Sequence, residues 1–206
     1  MRFFLPILFS LAGFTASAQV FMRPVDNAAA MALGGASVAY PGTGLGMSNE
    51  AITGLGEKRG IFASSALPFG IPDWQTARFQ AFTRLDANSG LGLDAVHSGI
   101  EAYSEQSLNL VYGRKLAAKL FLGGGVSLMR VSAKEYGAQN NATFSLGFLA
   151  HALPKIWIGA RVFNPVQQTV ARNTLPTVLR IGGAWKPSDL VVLLAEMEKD
   201  LERPTQ

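Results

Sequence analysis

The chain has 206 residues, a formal net charge of +4 and no cysteine, so thiol catalysis, disulfides and cysteine metal sites are excluded. Its basic residues are dispersed and nowhere interleaved with aromatics, which leaves no nucleic-acid footprint. Hydrophobic residues make up 49% and charged ones only 16%, against roughly 25% charged in an ordinary soluble domain.

Residues 1–18 read as a secretory signal peptide. Met1 and Arg2 form a positive start, residues 3–14 are apolar, and Ala16-Ser17-Ala18 is a small-x-small site with cleavage expected after Ala18. Gln19 follows, so there is no thiol to acylate and no lipoprotein anchor. No later apolar run approaches the ~20 residues that a spanning helix needs.

Residues 19–59 differ from the rest. Positions 26–40 are rich in Ala and Gly, and Pro41-Gly42-Thr43-Gly44-Leu45-Gly46 is turn material. This composition suits a plug or periplasmic entry segment with one short helix. Positions 37–40 read as strand-like. Gly42, Gly44 and Gly46 come next, but the third glycine falls one place early for a dinucleotide fingerprint and no helix opens after it. The stretch Gly54-Leu55-Gly56-Glu57-Lys58 lacks the spacing and hydroxyl of a phosphate loop.

From residue 60 to 206 the dominant signal is alternation. Strand-like segments begin near Gly60 and continue at 76–85, 90–97, 107–114, 119–133, 142–152, 155–163, 176–186 and 190–199, about nine in all. Within them Leu108, Leu110 and Tyr112 share one side, as do Leu120, Leu122, Val126 and Leu128, then Phe144, Leu146 and Phe148. Successive side chains in a strand point to opposite faces, so this period marks one greasy face. The other face is small or polar, with Ser127, Thr143, Ser145, Gly147, Gly159, Arg161, Arg180 and Gly182. Short connections such as Asn164-Pro165 and Pro187-Ser188-Asp189 imply antiparallel neighbours. Such a sheet either packs on a soluble core or turns its greasy side to lipid as a barrel wall. The export signal and the low charge favour the wall.

No catalytic constellation stands out, and no enzyme activity, cofactor or metal is expected. His97 and His151, the two histidines, each end a strand segment and read as strand-end residues. Asp94, Glu101 and Glu105 are dispersed, and Glu196, Glu198 and Lys199 read as solvated at a strand end. Gly123-Gly124-Gly125 inside a strand marks a bend or a close approach of the plug. Arg161 and Arg180 lie opposite the greasy side and are candidate lumen-facing residues. There they would hold plug carboxylates such as Asp26 or Glu50, or set the anion preference of a pore. Trp157 shares that parity and would line an apolar cavity or pack on the plug.

Two sets of residues carry a family resemblance. Ala32-Leu33-Gly34-Gly35-Ala36-Ser37 and then Asn49-Glu50-Ala51 resemble the N-terminal plug motif of the PorV/PorQ group of Bacteroidetes-type outer-membrane proteins, relatives of the FadL transporters. Glu50 stands where that group has Pro. Downstream, Gly159-Ala160-Arg161-Val162-Phe163-Asn164-Pro165, Leu179-Arg180-Ile181-Gly182-Gly183 and Ala195-Glu196-Met197 are similar to consecutive strands of such proteins. The resemblance implies an outer-membrane location, contact with outer-membrane lipid, and Gly34, Gly35 and Asn49 as plug-motif residues. It also implies either passive passage of a hydrophobic small molecule or an accessory role alongside secretion-system proteins of type IX secretion.

The expected fold is all-β, an antiparallel transmembrane β-barrel with an N-terminal plug. The chain supplies about eight or nine strands, so it is either a C-terminally truncated part of a larger FadL-like barrel, the favoured expectation, or a small closed barrel of about eight. The rival is a soluble exported β-sandwich that binds a ligand or partner.

Overall fold

The alternating segments form β-strands throughout. The computed structural model describes residues 27–42, 47–55, 59–170 and 173–201. The signal segment, Gln19, Asp26, the loop positions 43–46, the stretch 56–58 and the tail 202–206 lie outside the described residues. The strands are β1 (Arg59–Ala66), β2 (Gln75–Arg84), β3 (Ser89–Gly99), β4 (Tyr103–Ala117), β5 (Leu120–Ala133), β6 (Gly137–Leu153), β7 (Ile156–Phe163), β8 (Thr169–Val170), β9 (Asn173–Thr174), β10 (Val178–Trp185) and β11 (Leu193–Asp200). Nine of them form one antiparallel sheet in the order β1-β2-β3-β4-β5-β6-β7-β10-β11, and β8 and β9 form a separate two-stranded ladder. The short ladder arises in the β7–β10 connection, where the sequence shows no alternation to announce it.

The sheet is open. Among the described residues β1 and β11 pair with one neighbour each and not with one another. A small closed barrel is therefore not what these strands form. Positions 37–40 are likewise not a strand. Val38 and Ala39 form a turn in which the Tyr40 amide donates to the Ser37 carbonyl at 3.3 Å.

Residue parity divides the sheet cleanly. One face is bare, and it carries exposed Ile61, Phe79, Leu108, Leu110, Leu122, Val126, Leu128, Leu146, Ile158, Ile181, Leu193 and Met197. The other face is covered by residues 27–42 and 47–55 together with the β7–β10 connection, and holds buried Thr76, Arg78, Gln80, Asp94, Ser127, Thr143, Ser145 and Arg180. The strand carboxylates Asp94, Glu105, Glu196, Glu198 and Asp200 all have the parity of the covered face. The main core lies between the N-terminal segment and β5–β7, where Ala30, Ala51, Ile52, Phe121 and Leu149 pack with Trp157. A second cluster joins Met129, Val131 and Leu175 to Tyr103 and Phe163.

Side chains hold the turns. Between β2 and β3, Asp86 Oδ1 accepts from the Asn88 amide at 2.6 Å and Oδ2 from the Ser89 hydroxyl at 2.8 Å. The Asn88 amide first, and the Ser89 hydroxyl second, hold the Asp86 carboxyl below its ordinary value. A folded pKa below the unfolded value gives a contribution that is complete above the unfolded pKa of about 3.9 and is lost as pH falls through the folded one. The Asn88 amide resonance should therefore hold its position as pH is lowered past about 4 and move only at more acid pH. A midpoint at or above that value would contradict the two bonds.

After β7 the chain reverses at Asn164, a buried residue at φ 52. Its Oδ1 accepts from Thr143 Oγ1 at 2.8 Å and from the Gln168 amide at 3.1 Å, and its Nδ2 donates to the Leu175 carbonyl at 2.7 Å. Asparagine tolerates this left-handed backbone better than most residues. Asn164→Ala strands buried partners and should lower stability by about 1–3 kcal/mol. A urea-unfolding midpoint equal to that of the parent would sink this expectation.

Candidate functional site

The site is built from the N-terminal segment and the wall beneath it. Helix α1 (Ala28–Ala32) starts at Asn27, whose Oδ1 accepts from the Ala30 amide at 2.9 Å while its Nδ2 donates to Gln80 Oε1 on β2 at 2.9 Å. Ser, Thr, Asp and Asn favour this position because a side-chain oxygen satisfies an otherwise free helix amide. The helix stops at Gly34 and Gly35, at φ 65 and φ 82, with the Gly35 amide donating back to the Ala30 carbonyl at 2.9 Å. Glycine reaches this left-handed region without a Cβ penalty. The reversal aims the Gly35 carbonyl at β10, where Arg180 Nη2 donates to it at 2.6 Å.

The next turn is held by a carboxylate. Glu196 Oε2 on β11 accepts from the amides of Ser37 and Val38, each at 2.8 Å, and Oε1 accepts from Arg180 Nε. Arg180 Nε also lies 3.6 Å from Glu198 Oε2. Glu196 is therefore not solvated, since its side chain is only 9% exposed. Two backbone N–H groups and a guanidinium replace its water, as a buried charge requires. Positions 37–38 cannot join a strand ladder while these amides are engaged, which explains the turn.

Asn49 and Glu50 sit at the centre, both fully buried. Asn49 Nδ2 donates to the Val38 and Phe148 carbonyls, both at 2.8 Å, and Oδ1 accepts from the Ala51 amide at 3.0 Å. One side chain thus joins the 37–40 turn, strand β6 and the 3-10 turn Glu50–Leu55. Glu50 Oε1 accepts from Ser145 Oγ at 2.5 Å and from Arg161 Nε at 2.8 Å. Its Oε2 has no hydrogen-bond partner among the described residues. Arg161 thus meets Glu50, whereas Arg180 meets the wall carboxylates Glu196 and Glu198 and a backbone carbonyl. Asp26, the other anticipated partner, is outside the described residues.

Register explains how the wall receives this segment. Gly90, Gly113, Gly123, Gly147, Arg161, Arg180 and Glu198 are consecutive cross-strand partners. Four glycines form a track under the 3-10 turn, and two arginines continue the same row. A Cβ on Gly113 or Gly123 would collide with the Glu50 backbone, and one on Gly147 would collide with Asn49 Oδ1. Trp157 packs at the edge of this contact, its ring centroid 6.0 Å from Phe121 and 4.4 Å from His151. His97 is exposed on the bare face, away from the segment.

A further buried group escaped the sequence reading. Arg78 grips Asp94 with Nε–Oδ1 at 2.7 Å and Nη2–Oδ2 at 3.1 Å, and Asn109 Nδ2 adds a bond to Oδ2 at 2.9 Å. Their parity within β2, β3 and β4 marks all three as covered-face residues, the one sequence signal that could have grouped them. Chemically, the arrangement fixes charge and strap to wall; no nucleophile–base pair is assembled in it. Compared with protein families, with curated proteins and with solved structures, the chain matches none.

Proposed function

We propose that this chain is the wall and plug of an outer-membrane β-barrel of the PorV/PorQ, FadL-like type, exported by a cleaved signal peptide. The observation that carries the reading is the inversion of the sheet. Over most of its width its bare face is apolar, turning polar toward one end of β3–β6 at His97, Gln106, Arg130 and Asn140, while the strand carboxylates lie on the other side. On β5 the outward residues Leu120, Leu122, Val126 and Leu128 span the length of about 9–11 residues that a tilted strand needs to cross a bilayer. Outward apolar and inward polar is the pattern of a membrane barrel. In lipid the free edges of β1 and β11 need hydrogen-bonding partners, so further strands complete the wall.

The role is passive. Residues 27–42 and 47–55, strapped to the wall by Glu50–Arg161 and by the bonds of Glu196 and Arg180 to the backbone of Gly35, Ser37 and Val38, act as a plug that gates passage of a hydrophobic small molecule. An accessory part in type IX secretion uses the same scaffold, because fold does not fix cargo. The test is fractionation of cells expressing the full chain, with heat-modifiability on a gel as readout. A heat-modifiable band in the outer membrane is expected. A soluble, unshifted product would overturn the proposal and leave an exported β-sandwich, with the bare face covered by a second sheet.

A further inference from the structure

A groove of about 960 Å3 crosses β1 to β6. Its lining places it on the bare face. Eleven of its seventeen lining residues belong to two adjacent outward rows, and the other six are the single covered-face row that runs between them, from Ser64 and Arg78 to Met129 and Asn141. One wall is the register row His97, Gln106, Arg130 and Asn140. The other is apolar, with Phe79, Leu108 and Leu128 standing across small Ala63 and Ala95. The alanines leave the space, since larger residues in that row would fill it.

The polar wall is cationic and unopposed. Among the described residues Arg130 makes no ion pair, and the strand carboxylates all have covered-face parity. A guanidinium with an imidazole two strands away, set above an apolar trough, complements an anion attached to a hydrocarbon chain. Arginine suits phosphate oxygens because its fork donates in pairs. The apolar wall runs over five strands, from Ala63 to Leu128, and at about 4.8 Å spacing it is about 19 Å long, the scale of an extended acyl chain.

We infer that this groove is a binding site for an anionic membrane lipid, with its headgroup phosphate on Arg130 and His97 and an acyl chain along Phe79, Leu108 and Leu128. The inference rests on the membrane-wall reading above. It adds a specific annular lipid and fixes the His97–Arg130 row at the headgroup level. Interfacial rather than mid-bilayer depth also makes an outward Arg tolerable.

The test is native mass spectrometry of the full chain extracted from membranes and exchanged into nanodiscs of phosphatidylglycerol or phosphatidylcholine. Retained phosphatidylglycerol, in preference to phosphatidylcholine, is expected for the parent chain. Arg130→Gln and His97→Gln together should lower retention about tenfold, in line with loss of a charge-assisted bond. Arg114→Gln, a bare-face cation outside the groove, should leave it unchanged. Equal retention of both lipids, or no loss in the double variant, would overturn the lipid site while the barrel stands. A chain that never enters membranes would overturn both readings, and heat-modifiability of each variant separates misfolding from lost binding.

Discussion

Arg161→Ala should lower stability by about 3–5 kcal/mol, the cost of breaking a buried pair at one partner. Glu50 has no exposure, and its Oε1 depends on Arg161 Nε at 2.8 Å and Ser145 Oγ at 2.5 Å. Its Oε2 has no hydrogen bond to fall back on. Without the guanidinium a carboxylate stays buried with one neutral donor, and water reaches it only if residues 49–55 lift from the wall. The double variant Glu50→Gln with Arg161→Met should recover much of the loss, because removing both charges leaves no uncompensated ion. The measurement is the urea midpoint of Arg161→Ala and a double-mutant cycle of Glu50→Gln and Arg161→Met, singly and together, read from the heat-modifiable fraction. An Arg161→Ala midpoint within about 0.5 kcal/mol of the parent would show that the pair is not holding the segment.

This pair also shows what sequence can and cannot reveal. The parity of Arg161 and Arg180 in alternating segments was enough to assign both to the non-greasy side, and Glu50 was nameable as a partner because the segment around it carried a plug-like motif. Glu196 was misread as solvated. Its partners, the Ser37 and Val38 amides, lie 159 and 158 positions away and have no side-chain signal. All nine strands of the sheet were legible, but β4 and β6 start earlier than the alternation suggests, at Tyr103 and Gly137. There the outward positions turn polar, as in Ser104, Gln106 and Asn140, so the greasy period stops while the backbone ladder continues against β5. The β8–β9 ladder has two residues per strand, too short for any period to be read.

The glycine row gives the second large effect, and it is a contrast between adjacent residues. At Gly123 a side chain would run into the Glu50 backbone and come within 2.5 Å of the Ala51 amide nitrogen. Backbone cannot rotate away, so Gly123→Val forces the 3-10 turn off the wall, at or above the ~1–3 kcal/mol typical of overpacking. At Gly124, one residue on and facing the bare side, the nearest atoms to a Cβ are at 3.6 and 3.7 Å, ordinary contact. Gly124→Val should therefore be neutral or stabilising by up to about 1 kcal/mol, because valine suits a strand and glycine does not. Limited proteolysis reads the geometry directly. Chymotrypsin should cut Gly123→Val at Tyr40, freed with its segment, and leave Tyr40 uncut in Gly124→Val and the parent, while exposed Tyr136 is open to cleavage in all three. Equal cleavage of the two variants at Tyr40 would mean that the glycine track does not seat the N-terminal segment. If only Gly123→Val is cut while its strands stay heat-modifiable, wall and segment are separable units joined by contact at that track. A gate needs that property, and a core element that unfolds only with the whole sheet lacks it.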